Sequence, residues 1–215
     1  MNRPNSIRIW SGKHLDLANP VASEMTPADI YWGLASKFRF AGQTRGRLIT
    51  VAEHSIAVSG MCAGMAKGRA MDRVEQEACR RAGLLHDAAE AFLGDVPTPG
   101  KRLVPGFEEL EAPIVKAAAY LFDPRWGNTD WSADVLAVVR SADRICLAAE
   151  WKLLHPGAPV PPSISEAYPA LVEAAVSYYP IQASLGDVRG GALALYKELV
   201  AIFGQEIVGA FEDSV

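Results

Sequence analysis

The sequence predicts an all-α fold, a single bundle of about seven helices, and three observations lead to this prediction. Apolar residues recur at helical spacing in most long stretches, patterns that start helices precede several of them, and the alternating pattern of strands is nearly absent. The 215 residues are enough for one sizeable core. We therefore predict one domain over residues 1–215, with its motifs at about 26–152 and C-terminal helices at about 163–208.

The first three predicted helices each begin with a capping residue that is followed three positions later by an acid. The pairs are Thr26 with Asp29, Thr50 with Glu53, and Asp72 with Glu75. We expect the first helix to end near Lys37 and the second to cover about 51–66. The third is expected to continue as one helix until Gly94 and Pro97 end it.

The pattern predicts four further helices, at about 107–122, 131–154, 165–178 and 187–203. Pro113 marks a kink or a second start in the first of these, and Thr129 or Asp130 caps the second. The Pro- and Gly-rich stretch 155–162 is interpreted as a loop and not as a domain boundary. Residues 1–25 form an ordered arm with turns and one short strand in this prediction.

Composition and charge restrict the partners. A net charge of −4 argues against a duplex nucleic-acid binder, but a small phosphorylated ligand needs only a local basic pocket.

No signal peptide and no apolar run of transmembrane length is found, so we expect a cytoplasmic protein with no membrane partner. Cys62, Cys79 and Cys146 are expected to be buried free thiols. Half the residues are apolar and five are tryptophans, which is compatible with a homodimer.

The polar residues His86 and Asp87 stand within an apolar stretch, where unpartnered polar groups are costly. Glu90 follows one turn later, so a helix would bring all three side chains to one end. Nitrogen and oxygen donors together suit borderline divalent metals. His54 and Asp143 lie on apolar faces of two other predicted helices and complete a candidate ligand set. Two imidazoles and two carboxylates leave positions open for water and phosphate oxygens.

Each ligand candidate also has a structural interpretation. His54 could be a hydrogen-bonded structural histidine, and an adjacent His–Asp pair occurs often by chance. Asp143 could be a buried acid paired with Arg140 or Arg144. The joint pattern on three helices favours a metal site, because helical bundles often hold metals between facing helices.

The order of these residues resembles that of a known family. A histidine, then a His–Asp pair, then an aspartate, within Val51-Ala52-Glu53-His54-Ser55 and Ser141-Ala142-Asp143-Arg144, is similar to the HD-domain metal-dependent phosphohydrolases. The stretch from His86 to Lys101 and the upstream pair Arg39-Phe40 more closely resemble the bacterial and phage branch of 5′-deoxynucleotidases and deoxynucleotide triphosphohydrolases. In nucleotidases of this branch a Trp often stands in place of Phe40. The resemblance covers about residues 26–152.

The resemblance implies roles for particular residues. The divalent metal, one of Mn, Co, Zn, Fe, Ni and Mg, would be bound by His54, His86, Asp87 and Asp143. Glu90 would orient or deprotonate the attacking water. The substrate would be contacted by two phosphate-binding cations, Arg39 and Lys101, by Asp95 and Thr98 on the sugar side, and by Phe40. Taken alone, Arg39 and Lys101 could be solvated loop cations, and Asp95 could be a turn residue.

Three functional hypotheses remain open on this sequence. The first is a metal-dependent phosphohydrolase that acts on a nucleotide, namely a deoxynucleoside mono- or triphosphate, by attack of metal-activated water on phosphorus. The second is a non-catalytic metal- or nucleotide-binding module that retains the pocket, and the third is a purely structural metal site. Glu90 beside a full ligand set favours the enzyme, because a structural site does not need it.

Overall fold

The structure is a computed structural model that describes residues 4–44, 48–125, 131–161, 164, 169–176, 178–179 and 187–213. Its helices, in chain order, are α1 Pro27–Ala35, α2 Val51–Gly68, α3 Arg73–Leu85, α4 Glu90–Leu93, α5 Thr98–Lys101, α6 Phe107–Phe122, α7 Ala133–Leu154, α8 Pro169–Val176, α9 Val188–Phe203 and α10 Gln205–Val208. Seven of these helices have eight residues or more, and α4, α5 and α10 are single turns. The all-α prediction is confirmed.

The N-terminal arm contains a two-stranded hairpin where one strand was expected. Strand β1, Ser6–Arg8, pairs antiparallel with β2, His14–Asp16, and Ile7 lies opposite the fully buried Leu15. A lone strand would leave its backbone N–H and C=O groups without partners, and the second strand supplies them. Gly12, with φ of 82°, lies in the connection between the strands.

The three predicted capping boxes are confirmed. Each cap side chain accepts a hydrogen bond from the backbone N–H three residues on, and that residue's carboxylate accepts one from the cap's N–H. The predicted caps Thr129 and Asp130 lie outside the described residues. Helix α7 begins at Ala133, and Ser132 caps it by accepting a 3.2 Å hydrogen bond from the N–H of Val135.

The third predicted helix is interrupted, which corrects the expectation of one continuous helix. Helix α3 ends at Leu85, residues 86–89 form a turn, and α4 follows. In this turn the N–H groups of Ala88 and Glu90 donate to carbonyls three residues back instead of four, which tightens the chain. Gly94, with φ of 86°, ends α4.

The ring of His86 caps the end of α3. Its Nδ1 donates to the carbonyl oxygen of Gly83 over 2.8 Å, in the last turn, where helix carbonyls lack partners within the helix. His86 and Asp87 therefore project from a helix end and not from the middle of a helix. The bond also fixes the direction in which Nε2 of the ring points.

Gly83 allows α3 to pack tightly on α2. The connection 69–72 is short, so the two helices form a hairpin in which the start of α2 lies beside the end of α3. A Cβ atom at residue 83 would lie 2.8 Å from Cys62 Sγ and 3.3 Å from Ser59 Cα, which is too close for the present packing. The absence of a side chain at Gly83 therefore helps bring the ends of α2 and α3 together.

Helix α6 runs through Pro113 without a second start. Pro113 and Glu109, whose carbonyl would have accepted the missing N–H, are both exposed, so water can take the place of the lost hydrogen bond.

The C-terminal helices complete the bundle. Helix α8 covers Pro169–Val176 of the predicted 165–178, whose first residues lie outside the described ranges, and α9 agrees with the prediction. Helix α8 packs on α7, and α9 packs on α1 and α2. The Trp32 indole on α1 donates to the carbonyl of Glu212 over 2.7 Å, so the chain end closes on the first helix.

None of the described helices is long and apolar enough to cross a membrane. All three cysteines are buried and free, as predicted.

We predict that Gly83→Ala destabilises the fold by about 1–3 kcal/mol, because the added methyl group overpacks the contact between α2 and α3. Gly64→Ala is the matched control. Gly64 also lies in a helix, but it is exposed and no atom lies within 4 Å of the point where a Cβ would be added, so this change should stabilise by about 0.5–1 kcal/mol. Urea unfolding of both variants measures the two effects, and equal stabilisation by both changes would contradict the tight contact.

Candidate metal centre

The four predicted ligands meet between α2, the turn after α3, and α7. His54 Nε2 lies 3.3 Å from His86 Nε2, 3.5 Å from Asp87 Oδ2 and 3.2 Å from Asp143 Oδ1. The ligand atoms of His54, His86 and Asp87 all lie within 4.8 Å of one another. His54 is fully buried, whereas the side chain of Asp143 is 37 % exposed, so the group is open to solvent on the α7 side.

Both imidazole rings are oriented by a hydrogen bond at Nδ1. His54 Nδ1 lies 2.7 Å from Glu150 Oε1, and His86 Nδ1 lies 2.8 Å from the carbonyl oxygen of Gly83. A carbonyl oxygen and an ionised carboxylate only accept, so both Nδ1 atoms donate. In neutral rings each Nε2 then carries a lone pair, and two such lone pairs face each other and two carboxylates. Four acceptors that meet without a donor can be satisfied by protons on the Nε2 atoms or by a bound cation, and this set of nitrogen and oxygen atoms fits a divalent metal.

The charges of the group also favour a bound cation. Burial lowers the pKa of both rings, but nearby carboxylates outweigh it, so the pKa of His54 is raised to about 9 and that of His86 well above its usual value. Burial raises the pKa of Asp87 and Asp143, yet the two histidines lower it far below the usual range. The carboxylates therefore stay ionised, and positive charge is drawn to the Nε2 atoms.

Arg39 is buried among three carboxylates beside the metal ligands. Its Nε donates to Glu150 Oε2 over 3.2 Å, and its Nη1 lies 3.5 Å from Asp95 Oδ1 and 3.8 Å from Asp87 Oδ2. The next residue, Phe40, has φ of 57°, in the left-handed region that non-glycine residues rarely adopt. Such strain persists only where the surrounding contacts hold it, and the hydrogen bonds of the buried Arg39 and the ring contacts of Phe40 lie at this point of the chain.

Glu90 is buried and lies next to Lys101. Its Oε1 accepts from Lys101 Nζ over 3.1 Å, and the same ammonium donates to Glu111 Oε1 over 2.7 Å. Its Oε2 is buried and has no hydrogen-bond partner among the described residues, and the same holds for Asp95 Oδ2. Burial, followed by the charges of Asp87 and Asp95, raises the pKa of Glu90 to about 8.

The remaining predicted substrate residues lie further out. Phe40 packs edge-on against Trp151 and His155, with ring centroids 5.9 and 5.3 Å away, and those two rings stack at 4.1 Å. Thr98 is exposed at the start of α5, the short helix that also carries Lys101. The structure therefore brings Arg39 and Asp95 to the metal ligands, whereas Phe40 lies in an aromatic cluster and Thr98 faces solvent.

Sequence reasoning missed Glu150, Tyr179 and Glu111. Glu150 lies seven residues after Asp143, on the same face of α7 and within its apolar stripe, so a charged residue at a core position was the signal available. Tyr179 donates to Glu150 Oε1 over 2.9 Å, and Glu111 accepts from Lys101 over 2.7 Å. No sequence pattern marks these two, because only the tertiary packing brings them to the site.

Comparisons with known proteins agree with this geometry. Residues 51–152 match the family model described as HD domain. An uncharacterized protein of Rhodobacter capsulatus is 38% identical over 117 residues, which are 54% of this chain and 57% of that protein. The uncharacterized protein YfdR of Escherichia coli strain K12 is 32% identical over 108 residues, 50% of this chain and 53% of that protein. The chain thus spans about half the length of the curated relatives it matches, whose names give no substrate.

We predict that Asp87→Asn abolishes stoichiometric metal binding, because it removes a carboxylate ligand from the tightest part of the group. Asp95→Asn is the matched control, since it removes a carboxylate at a similar distance from Arg39 but outside that group. Elemental analysis after incubation with Zn²⁺ and removal of free ion measures the bound metal in each variant. Full occupancy in Asp87→Asn would contradict the assignment of this ligand.

Proposed function

We propose that the protein is a divalent-metal-dependent phosphohydrolase that acts on a nucleotide, namely a deoxynucleoside mono- or triphosphate. The observation that carries the proposal is that the Nε2 atoms of two histidines and two carboxylates converge. Beside them, on α4, lies the buried carboxyl of Glu90, one oxygen of which has no hydrogen-bond partner among the described residues. The HD domain match supports the reaction class, because this family consists generally of metal-dependent hydrolases. The choice of a deoxynucleotide as substrate rests on the resemblance of the stretch from His86 to Lys101 to the deoxynucleotidase branch.

His54, His86, Asp87 and Asp143 would hold the metal. When bound, a divalent ion lowers the pKa of water towards neutrality and polarises a phosphoryl oxygen. The protein's part is to hold the donor atoms in a fixed geometry. His86 is fixed by a backbone carbonyl and His54 by a buried carboxylate, so neither ring needs to reorganise when the reaction begins.

Glu90 would accept the proton of the attacking water. Its Oε2 has no partner among the described residues, while Lys101 holds its Oε1. Because burial raises its pKa, the ionised form of Glu90 is a stronger base than an ordinary carboxylate. Glu90 would therefore act on water without serving as a ligand.

Arg39 and Lys101 would bind the phosphate. Arg39 is charged at any physiological pH, and its Nη1 faces Asp87 and Asp95 at 3.8 and 3.5 Å, distances that leave room for stronger hydrogen bonds to a phosphate oxygen. Lys101 links Glu90 to Glu111. Two cations beside a metal would balance the charge that develops on the transferring phosphoryl group. Asp95 and Thr98 are proposed to line the sugar side and Phe40 to lie near the base.

Phosphate release from a panel of deoxyribo- and ribonucleoside mono- and triphosphates tests the proposal, in separate assays with Mn²⁺, Co²⁺, Zn²⁺ and Mg²⁺. We expect release of phosphate or tripolyphosphate that depends on added metal and is fastest with deoxynucleotides. Stoichiometric binding of metal and nucleotide without any hydrolysis would overturn the enzyme hypothesis in favour of a binding module. Equal rates with ribonucleotides would overturn the deoxynucleotide assignment alone.

We predict that Glu90→Gln keeps its metal and still binds nucleotide, but turns over about 10²- to 10⁴-fold more slowly, because the amide cannot accept a proton from water. Glu111→Gln is the control, since it also removes a carboxylate partner of Lys101. We expect the hydrolysis rate of Glu111→Gln to fall much less. Single-turnover hydrolysis, measured beside metal content and nucleotide affinity, separates the two. An unchanged rate in metal-loaded Glu90→Gln would remove Glu90 from catalysis and make Asp95 the next acid to test.

A further inference from the structure

Glu150 is the most deeply buried carboxylate near the metal ligands, and its carboxylate accepts three hydrogen bonds. Its exposed fraction is 0 %. Oε1 accepts from His54 Nδ1 over 2.7 Å and from the hydroxyl of Tyr179 over 2.9 Å, and Oε2 accepts from Arg39 Nε over 3.2 Å. The carboxylate of Glu150 therefore connects His54, the metal-ligand candidate on α2, to Arg39, the phosphate-binding candidate that precedes α2.

We propose that Glu150 is a positioning residue that fixes the tautomer and direction of His54 and at the same time orients the guanidinium of Arg39. The inference rests on the proposed function, because the proposed function makes His54 a metal ligand and Arg39 a phosphate-binding residue. Through Glu150, the metal site and the phosphate site share one anchor on α7. Glu150 itself contacts neither metal nor substrate.

The chemistry of the three donors explains why this anchor is a carboxylate. Arg39 Nε can only donate, and His54 must donate from Nδ1 if its Nε2 is to bind a metal. Two acceptor oxygens in one side chain satisfy both donors. A glutamine offers one oxygen and one NH₂ group, so its NH₂ must face either Arg39 Nε or His54 Nδ1. The first arrangement opposes two donors, and the second favours the tautomer of His54 that has its proton on Nε2.

The hydrogen-bond donors around Glu150 compensate its burial in this role. Arg39 Nε, His54 Nδ1 and the hydroxyl of Tyr179 all donate to its two oxygens. A carboxylate with no exposed surface is retained only when such partners compensate the loss of water. The partners here are the two functional candidates and one tyrosine.

Glu150→Gln tests the inference by two measurements that a purely structural role would not change. We expect the Zn²⁺ affinity, measured by titration calorimetry, to fall about 10- to 100-fold, as is typical when the hydrogen-bond partner of a metal ligand is lost. At saturating metal we expect KM for the nucleotide to rise about tenfold, because Arg39 loses a charged hydrogen-bond partner. A structural carboxylate would instead lower the melting temperature and leave both constants unchanged.

Glu198→Gln is the matched control. Glu198 on α9 also accepts a hydrogen bond from an arginine, Arg80, over 2.7 Å, and no described contact connects it to the metal ligands. We expect its Zn²⁺ affinity and KM to equal those of the wild type. If folded Glu150→Gln has the same Zn²⁺ affinity and the same KM as the wild type, the inference is overturned.

The wild-type protein provides a test that does not depend on the folding of a variant. In long-range ¹H–¹⁵N NMR spectra of the Zn²⁺-loaded protein, we expect His54 to carry its proton on Nδ1 and the metal on Nε2. A proton on Nε2, or metal at Nδ1, would overturn the inference. If the wild type binds none of Zn²⁺, Mn²⁺, Co²⁺ and Mg²⁺, the proposed function fails. If the wild type binds Zn²⁺ and hydrolyses nucleotide, and Glu150→Gln has the same Zn²⁺ affinity and KM, only the proposed role of Glu150 fails.

Discussion

The packing of α3 on α2 at Gly83 is the contact on which the candidate site depends. The helices form a hairpin, and only a residue without a side chain allows α3 to approach Cys62 and Ser59 this closely. The carbonyl of the same glycine accepts the hydrogen bond that directs the His86 ring. One residue therefore controls both how near the two histidines come and which way His86 points, so packing and metal chemistry are coupled at this position.

Charge is the second constraint on the site. Asp87, Asp143 and Glu150 are ionised in a largely buried region, where separated charges are costly. Arg39 compensates part of this charge by lying among the carboxylates, and a divalent cation at the two Nε2 atoms would compensate the rest. The same excess of acceptors that would destabilise an empty core thus becomes the driving force for binding a cation, which is the usual relation between stability and function at such centres.

The hydrogen-bonded group at the candidate site extends beyond the segment that matches the HD domain model. The match covers residues 51–152 and includes all four metal-ligand candidates, Glu90 and Glu150. Arg39 precedes this segment and Tyr179 follows it, yet both bond to Glu150 inside it. Residues on either side of the matched segment therefore complete the hydrogen bonds of Glu150.

The sequence by itself determined the helical class, the three capping boxes and the set of metal-ligand candidates, because helix starts and polar residues at apolar positions are local signals. It placed His86 and Asp87 inside a helix, since residues 86–89 contain no Gly or Pro that would signal a break. Only the tertiary structure showed that α3 ends before them and that the His86 ring takes over a free carbonyl. It alone also revealed Glu150 and Tyr179, because hydrogen bonds between residues 54, 150 and 179 depend on how α2, α7 and the chain after α8 pack, which no local pattern encodes.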